Sequence, residues 1–190
     1  MHNKFKKSIS AFVFLIPLFI GAQNFSLSNN SSIIVSGTSS LHDWDVKAEN
    51  FNGKIIFEDL NSGDIKDISI SVIAESLKSG KKGMDKNTYK ALKTNSHQSI
   101  TYNLVDVITI EKIDDASYKV KCEGNLTIAG TTNTAIIDFL LIKENNKCSV
   151  TGSCSVKMTS FGVEPPKALL GTIKTGDEVT IKFNTSFVQD

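Results

Sequence analysis

One octapeptide, Gly37-Thr38-Ser39-Ser40-Leu41-His42-Asp43-Trp44, gathers two serine hydroxyls, an imidazole and a carboxylate. These are the residue types of acyl-transfer hydrolysis, in which a hydroxyl attacks, an imidazole carries its proton and a carboxylate orients the ring. The spacing argues against that chemistry. Such groups converge from distant parts of a chain, and neighbours in an extended strand point to opposite faces. His42 then reads either as a polar contact at the mouth of a cavity, with Trp44 as an amphipathic wall, or as ordinary packing. Metal chemistry lacks ligands. Beyond the N-terminal stretch the histidines are His42 and His97, in different segments, and neither carboxylate clusters nor Cys/His pairs show useful spacing. No cofactor is expected. Cys148 and Cys154 fall in one apparent strand, about 20 Å apart at the rise of a strand and beyond disulfide reach. A bridge from Cys122 to either stays open, and the simpler expectation is three small buried apolar side chains.

Strands must position these groups, because the dominant pattern is period-2 alternation. Val179, Ile181, Phe183, Thr185 and Phe187 share one face, with Glu178, Thr180, Lys182, Asn184 and Ser186 on the other. Further rows are Cys148, Val150, Gly152, Cys154, Val156 and Met158; Tyr118, Val120, Cys122, Gly124, Leu126 and Ile128; and Ile68, Ile70, Val72 and Ala74. Gln98–Ile110 drifts out of phase after Leu104, which predicts a bulge. Thr134–Lys143 is apolar on both faces, which predicts a covered outer face. Ser32–Asn50 reads as two short strands around Gly37, and both Glu144-Asn145-Asn146 and Lys174-Thr175-Gly176-Asp177 read as turns. The exception is Gly83–Asn95, a short helix N-capped by Asp85, with Met84, Tyr89 and Leu92 on its apolar side.

Residues 1–22 read as a signal peptide: Lys4, Lys6 and Lys7, then the apolar run Ser8–Ile20, then small residues at Gly21-Ala22. That run is shorter than the roughly 20 residues of a membrane span. The remainder, 23–190, is expected to be one exported domain, periplasmic if the host is Gram-negative and otherwise secreted. With the three leader lysines gone, 18 basic residues face 20 acidic ones. The chain has no arginine, the residue best suited to phosphates and base edges, so nucleic acid is not an expected partner. No later segment is apolar enough to span a membrane, and a homodimer stays open.

About eight long, one-face-apolar strands predict an all-β antiparallel barrel with a short helix capping one end. Gly124, Gly152, Ala74, Cys122 and Cys154 at mid-strand predict a hollow interior. The alternative is an interaction module whose barrel is filled by Phe57, Phe139, Phe183 and Phe187. The segment Phe161–Pro166, with Ala168, Leu169 and Leu170 after it in a non-strand stretch, reads as a pocket rim.

The GTSSLHDW segment, Met84-Asp85-Lys86-Asn87 with Ala91-Leu92-Lys93, Gly124-Asn125-Leu126-Thr127-Ile128-Ala129-Gly130, Phe161–Pro166 and Gly171–Val179 occur in an order that resembles the YceI-like family of lipid- and polyisoprenoid-binding proteins. The resemblance runs from about Ser32 to Phe187. It implies an eight-stranded lipocalin-like barrel, an elongated apolar cavity for an isoprenoid chain, and periplasmic or secreted residence, while the residues themselves give no expectation of an enzyme. His97-Gln98-Ser99-Ile100 departs from a proline pattern of many relatives. Without arginine, a neutral head group, or one left in solvent, is favoured. Candidate head contacts are His42, Trp44 and Tyr102. Candidate tail contacts are Ile55, Phe57, Ile70, Val72, Met84, Leu92, Leu126, Phe139, Val150, Gly152, Cys154, Met158, Phe161, Leu169, Leu170, Ile181 and Phe183.

Overall fold

A computed structural model describes residues 22–168 and 171–190. The leader, and with it the signal-peptide expectation, lies outside the described residues, as do Leu169 and Leu170.

Strand segments combine into eight staves of an antiparallel up-and-down barrel. The first stave is β1 (Gln23–Leu27) continued by β2 (Ser32–Ser39), and the second is β3 (Trp44–Ala48) continued by β4 (Phe51–Asp59). The third is β5 (Asp64–Ile73), extended past a 3-10 turn by β6 (Leu77–Lys78). Helix α1 (Lys82–Leu92) follows. The remaining staves are β7 (Ser99–Lys112), β8 (Ser117–Ile128), β9 (Thr131–Glu144), β10 (Lys147–Lys157) and, after the two-residue β11 (Lys167–Ala168), β12 (Ile173–Gln189). Each stave pairs with the next. The 17-residue β12 then closes the ring, pairing Phe183 with Ile33 of β2 and Phe187 with Leu27 of β1.

The two ends differ. At the end formed by the β4–β5, β7–β8 and β9–β10 turns, Phe25, Phe57, Tyr118, Val120, Leu141 and Cys148 are fully buried and fill the bore. The Phe25 and Phe57 rings meet edge to face at 5.5 Å, a favoured aromatic geometry. Tyr118 donates from its hydroxyl to Asn61 O, tying the β4–β5 turn across this end. The other end is covered by α1.

Several local expectations are corrected. The first hairpin turns at Ser40–Asp43, and Gly37 sits inside β2, opposite Trp44. Residues 174–177 are not a turn; they belong to β12, whose register with β2 shifts between Thr175 and Val179. Ala168 is in a strand, paired with Ile173. The outer face of β9 is bare, with Ile136 52% and Leu140 36% exposed. Asp85 does not cap α1: the cap position is Lys81 and makes no side-chain bond. The Asp85 carboxylate instead accepts from Ser79 N (2.8 Å) and Ser79 Oγ (2.6 Å), clasping the loop onto the helix. The helix ends at Leu92 because Lys93 takes a left-handed conformation (φ 53°), a common helix stop. The bulge in β7 is present, as register shifts after Leu104 and Val107.

Candidate functional site: a cavity beneath the helix

Above the aromatic plug the barrel encloses a cavity of about 750 Å³, within the range of small-molecule sites. Alternation builds its wall. Inward residues are Ile33 and Val35 from β2, Trp44 and Val46 from β3, Ile55 from β4, and Ile68, Ile70 and Val72 from β5. Tyr102, Cys122, Leu126, Ile137 and Phe139 continue it through β7, β8 and β9. Val150, Cys154 and Val156 follow on β10, and Val179, Ile181, Phe183, Thr185 and Phe187 complete it on β12. Met158, Phe161, Val163 and Pro166 line the upper rim, and Met84, Ala91 and Leu92 of α1 form the roof. The barrel is therefore plugged at one end and hollow above.

Most residues expected from the sequence to meet a ligand lie on this wall. Two do not. Phe57 is wholly buried in the plug, and Gly152 is covered. The mid-strand glycines do not create the space; each seats a larger side chain from a neighbouring stave. A Cβ at Gly152 would stand 2.6 Å from Asp138 O and 2.7 Å from Phe183 Cζ. One at Gly124 would stand 2.5 Å from Tyr102 Cε2, and one at Gly37 2.7 Å from Trp44 Cε2. This is aromatic packing over a glycine across strands. The cavity lies between the plug and α1, its wall mixing aliphatic side chains with Trp44, Tyr102, Phe139, Phe183 and Phe187.

Three polar groups of the wall are already engaged. Thr185 donates to Val150 O at 3.1 Å, and the Tyr102 hydroxyl and Cys122 Sγ are hydrogen-bonded at 3.3 Å. Burial pushes the Tyr102 phenol and the Cys122 and Cys154 thiols up, so all stay protonated at neutral pH. The three cysteines are free, buried thiols. With Thr185, Tyr102 and Cys122 paired within the wall, the interior chiefly rewards apolar burial. Tyr102 is thus part of the wall rather than the mouth.

At the mouth stand Leu41, His42, Lys81, Lys86 and Lys167, and among the described residues no Asp or Glu lines the cavity. The Ser39 hydroxyl donates to His42 O at 2.7 Å. His42 Nδ1 lies 2.6 Å from Asp43 O, a carbonyl that can only accept, so Nδ1 carries the proton and Nε2 is left without a proton when the ring is neutral. Serine and carboxylate do not converge on the ring, and the triad arrangement is absent. Trp44 Nε1 donates to Thr38 O at 3.0 Å and holds its ring across Gly37. Sequence reasoning missed Lys81, Lys86 and Lys167, since nothing in the alternation of the strands brings these charged residues to the mouth. It also missed Ile33 and Val35, which the alternation in β2 does mark. Among the described residues no group of three His, Cys, Asp or Glu could hold a metal ion, and no helix is long and apolar enough to cross a membrane.

Known structures share this architecture. A polyisoprenoid-binding domain from Saccharophagus degradans, implicated in plant cell wall breakdown, superposes with a TM-score of 0.69 at 12% identity, covering 87% of this chain and 98% of that one. BcnA of Burkholderia cenocepacia gives 0.66 at 17%, covering 82% and 95%. A mutant YceI protein of Campylobacter jejuni, with a monobromobimane guest, gives 0.61 at 17%, covering 76% and 84%. No curated protein matches the sequence. The YceI-like domain profile matches residues 26–187, which spans every stave of the barrel. A closed barrel, an apolar chamber above an aromatic plug and this end-to-end match together place the chain in the YceI-like domain family.

Proposed function

We propose that this protein is an exported binder and carrier of an apolar, chain-like lipid of polyisoprenoid or isoprenoid-quinone type, held in the cavity, and not a catalyst. The observation that carries the reading is the chamber itself: about 750 Å³, closed below and lined mainly by apolar side chains, with Tyr102, Cys122 and Thr185 paired within the wall. Each 100 Å² of tail removed from water gains about 2.5 kcal/mol before ordering costs. The description of the S. degradans relative as polyisoprenoid-binding supports the same ligand class. Ile55, Ile70, Val72, Leu126, Phe139, Val150, Cys154, Met158, Phe161, Ile181 and Phe183 are the tail contacts, under the roof of Met84 and Leu92. The head group sits at the mouth by His42 and Trp44. Lys81, Lys86 and Lys167 there suit a head that accepts hydrogen bonds, which shifts the reading away from a strictly neutral head.

Native mass spectrometry of gently purified protein, followed by lipid extraction, tests this. A co-purified or added isoprenoid lipid should remain bound at one copy per barrel. A clean apo mass that persists after lipid addition overturns the proposal.

A further inference from the structure

We infer that the mouth of the barrel docks on anionic lipid bilayers through the outer face of α1. The segment from Lys81 to Lys93 holds five lysines and a single carboxylate. Lys82, Lys86 and Lys90 recur at every fourth position, within roughly 80° of arc at about 100° per residue. Met84, Thr88 and Ala91, which line the cavity, point the opposite way, while Lys86 of the stripe also borders the mouth. The helix is therefore a lid with an apolar underside and a cationic top, and the stripe continues into Lys93. Lys81, Lys82, Lys86, Lys90 and Lys93 are exposed, and none is in an ion pair among the described residues.

Nearby carboxylates keep their charge, but among the described residues none pairs with this face, where five lysines outnumber the single Asp85. Asp85 is bound to Ser79, Glu75 accepts from Thr94 Oγ1, and Glu49 lies toward Lys78. Lys78 itself is turned aside, donating to the Tyr89 hydroxyl at 2.5 Å. Leu41, which lines the same cavity as Lys81 and Lys86, is 65% exposed at the mouth. A lysine-coated helix with a projecting leucine at the same mouth is the chemistry of an interfacial contact: charge attracts the anionic surface, and the apolar side chain enters the head-group layer. The rest of the chain lacks comparable charge, since outside residues 1–7 and 81–93 thirteen lysines face nineteen carboxylates. Docked this way, the mouth faces the bilayer. The inference needs the carrier reading only for its purpose, because docking is readable without a cavity ligand.

The test is vesicle co-sedimentation of the folded protein. Vesicles of equal parts phosphatidylcholine and phosphatidylglycerol should bind it, pure phosphatidylcholine vesicles should not, and high salt should release it. The variant Lys82→Gln/Lys90→Gln/Lys93→Asn touches no cavity-lining residue and should bind on the order of a hundredfold more weakly. Its uptake of a detergent-dispersed isoprenoid should match wild type. A control, Lys66→Gln/Lys119→Gln/Lys147→Gln at the plugged end, should bind like wild type. Equal binding to both vesicle types, undiminished binding by the helix variant, or an equal loss in the control overturns the inference. Normal docking with no lipid uptake would leave it standing and sink the carrier reading instead.

Discussion

Gly124→Ala tests whether the inward glycines are seats for rings or sources of space. Over open space, replacing a strand glycine with alanine stabilises by roughly 0.5–1 kcal/mol. Here the new Cβ would stand 2.5 Å from Tyr102 Cε2, where ordinary contact begins near 3.4 Å, so the ring must move by about 1 Å. The open direction is the cavity, and the move strains the Tyr102–Cys122 hydrogen bond. Overpacking of this kind costs about 1–3 kcal/mol. For a chain of this size that lowers Tm by roughly 2–12 °C. Thermal unfolding monitored by far-UV circular dichroism reads the stability, and uptake of a fluorescent apolar-chain probe reads the chamber. Tyr102→Leu removes the ring, so adding it to Gly124→Ala should recover at least about 1 kcal/mol relative to the sum of the single effects. A stabilising Gly124→Ala, or a double variant additive within about 0.5 kcal/mol, would refute the reasoning.

Val156→Phe adds bulk to a half-buried side chain that lines the cavity; it should cut probe uptake at least about tenfold, at a stability cost below about 1.5 kcal/mol, measured by titration and calorimetry. Trp44 is the only tryptophan and lines the cavity, so lipid uptake should shift its emission to the blue, and no shift at saturation would remove it from the ligand's surroundings. Burial pushes the Cys148 thiol from its ordinary 9.0 up to about 12. The unfolded chain loses that proton first, so this group's contribution is complete below about pH 9 and is lost as pH rises toward 12. Denaturant midpoints should fall across that window for wild type and fall less for Cys148→Val.

How much of this was legible depended on which neighbours decide each feature. The inward rows of β8, β10 and β12 could be read directly, because a one-residue slip would turn every apolar side chain outward. Gly124 and Gly152 were legible as inward but not as covered, since the rings over them come from Tyr102 on β7 and Phe183 on β12. Phe57 shares the alternation of Ile55, yet only the closing of the turns at that end puts it in the plug. Asp85 has the residue type and place of a cap. The chain before it bends back so that Ser79 claims the carboxylate first. Nothing local marks the bare face of β9, because an apolar outer row looks the same whether or not something lies on it.

The long final strand has a kinetic consequence. β12 zips to β10 along its length on one side and to β1 and β2 on the other, so the ring closes through contacts spanning almost the whole domain. Such high contact order slows folding, because distant segments must be brought together before their contacts can stabilise anything. The chamber has no complete wall until the last-made residues have docked against the first. A guest that boards the finished barrel has to enter at the end opposite the plug, through the mouth.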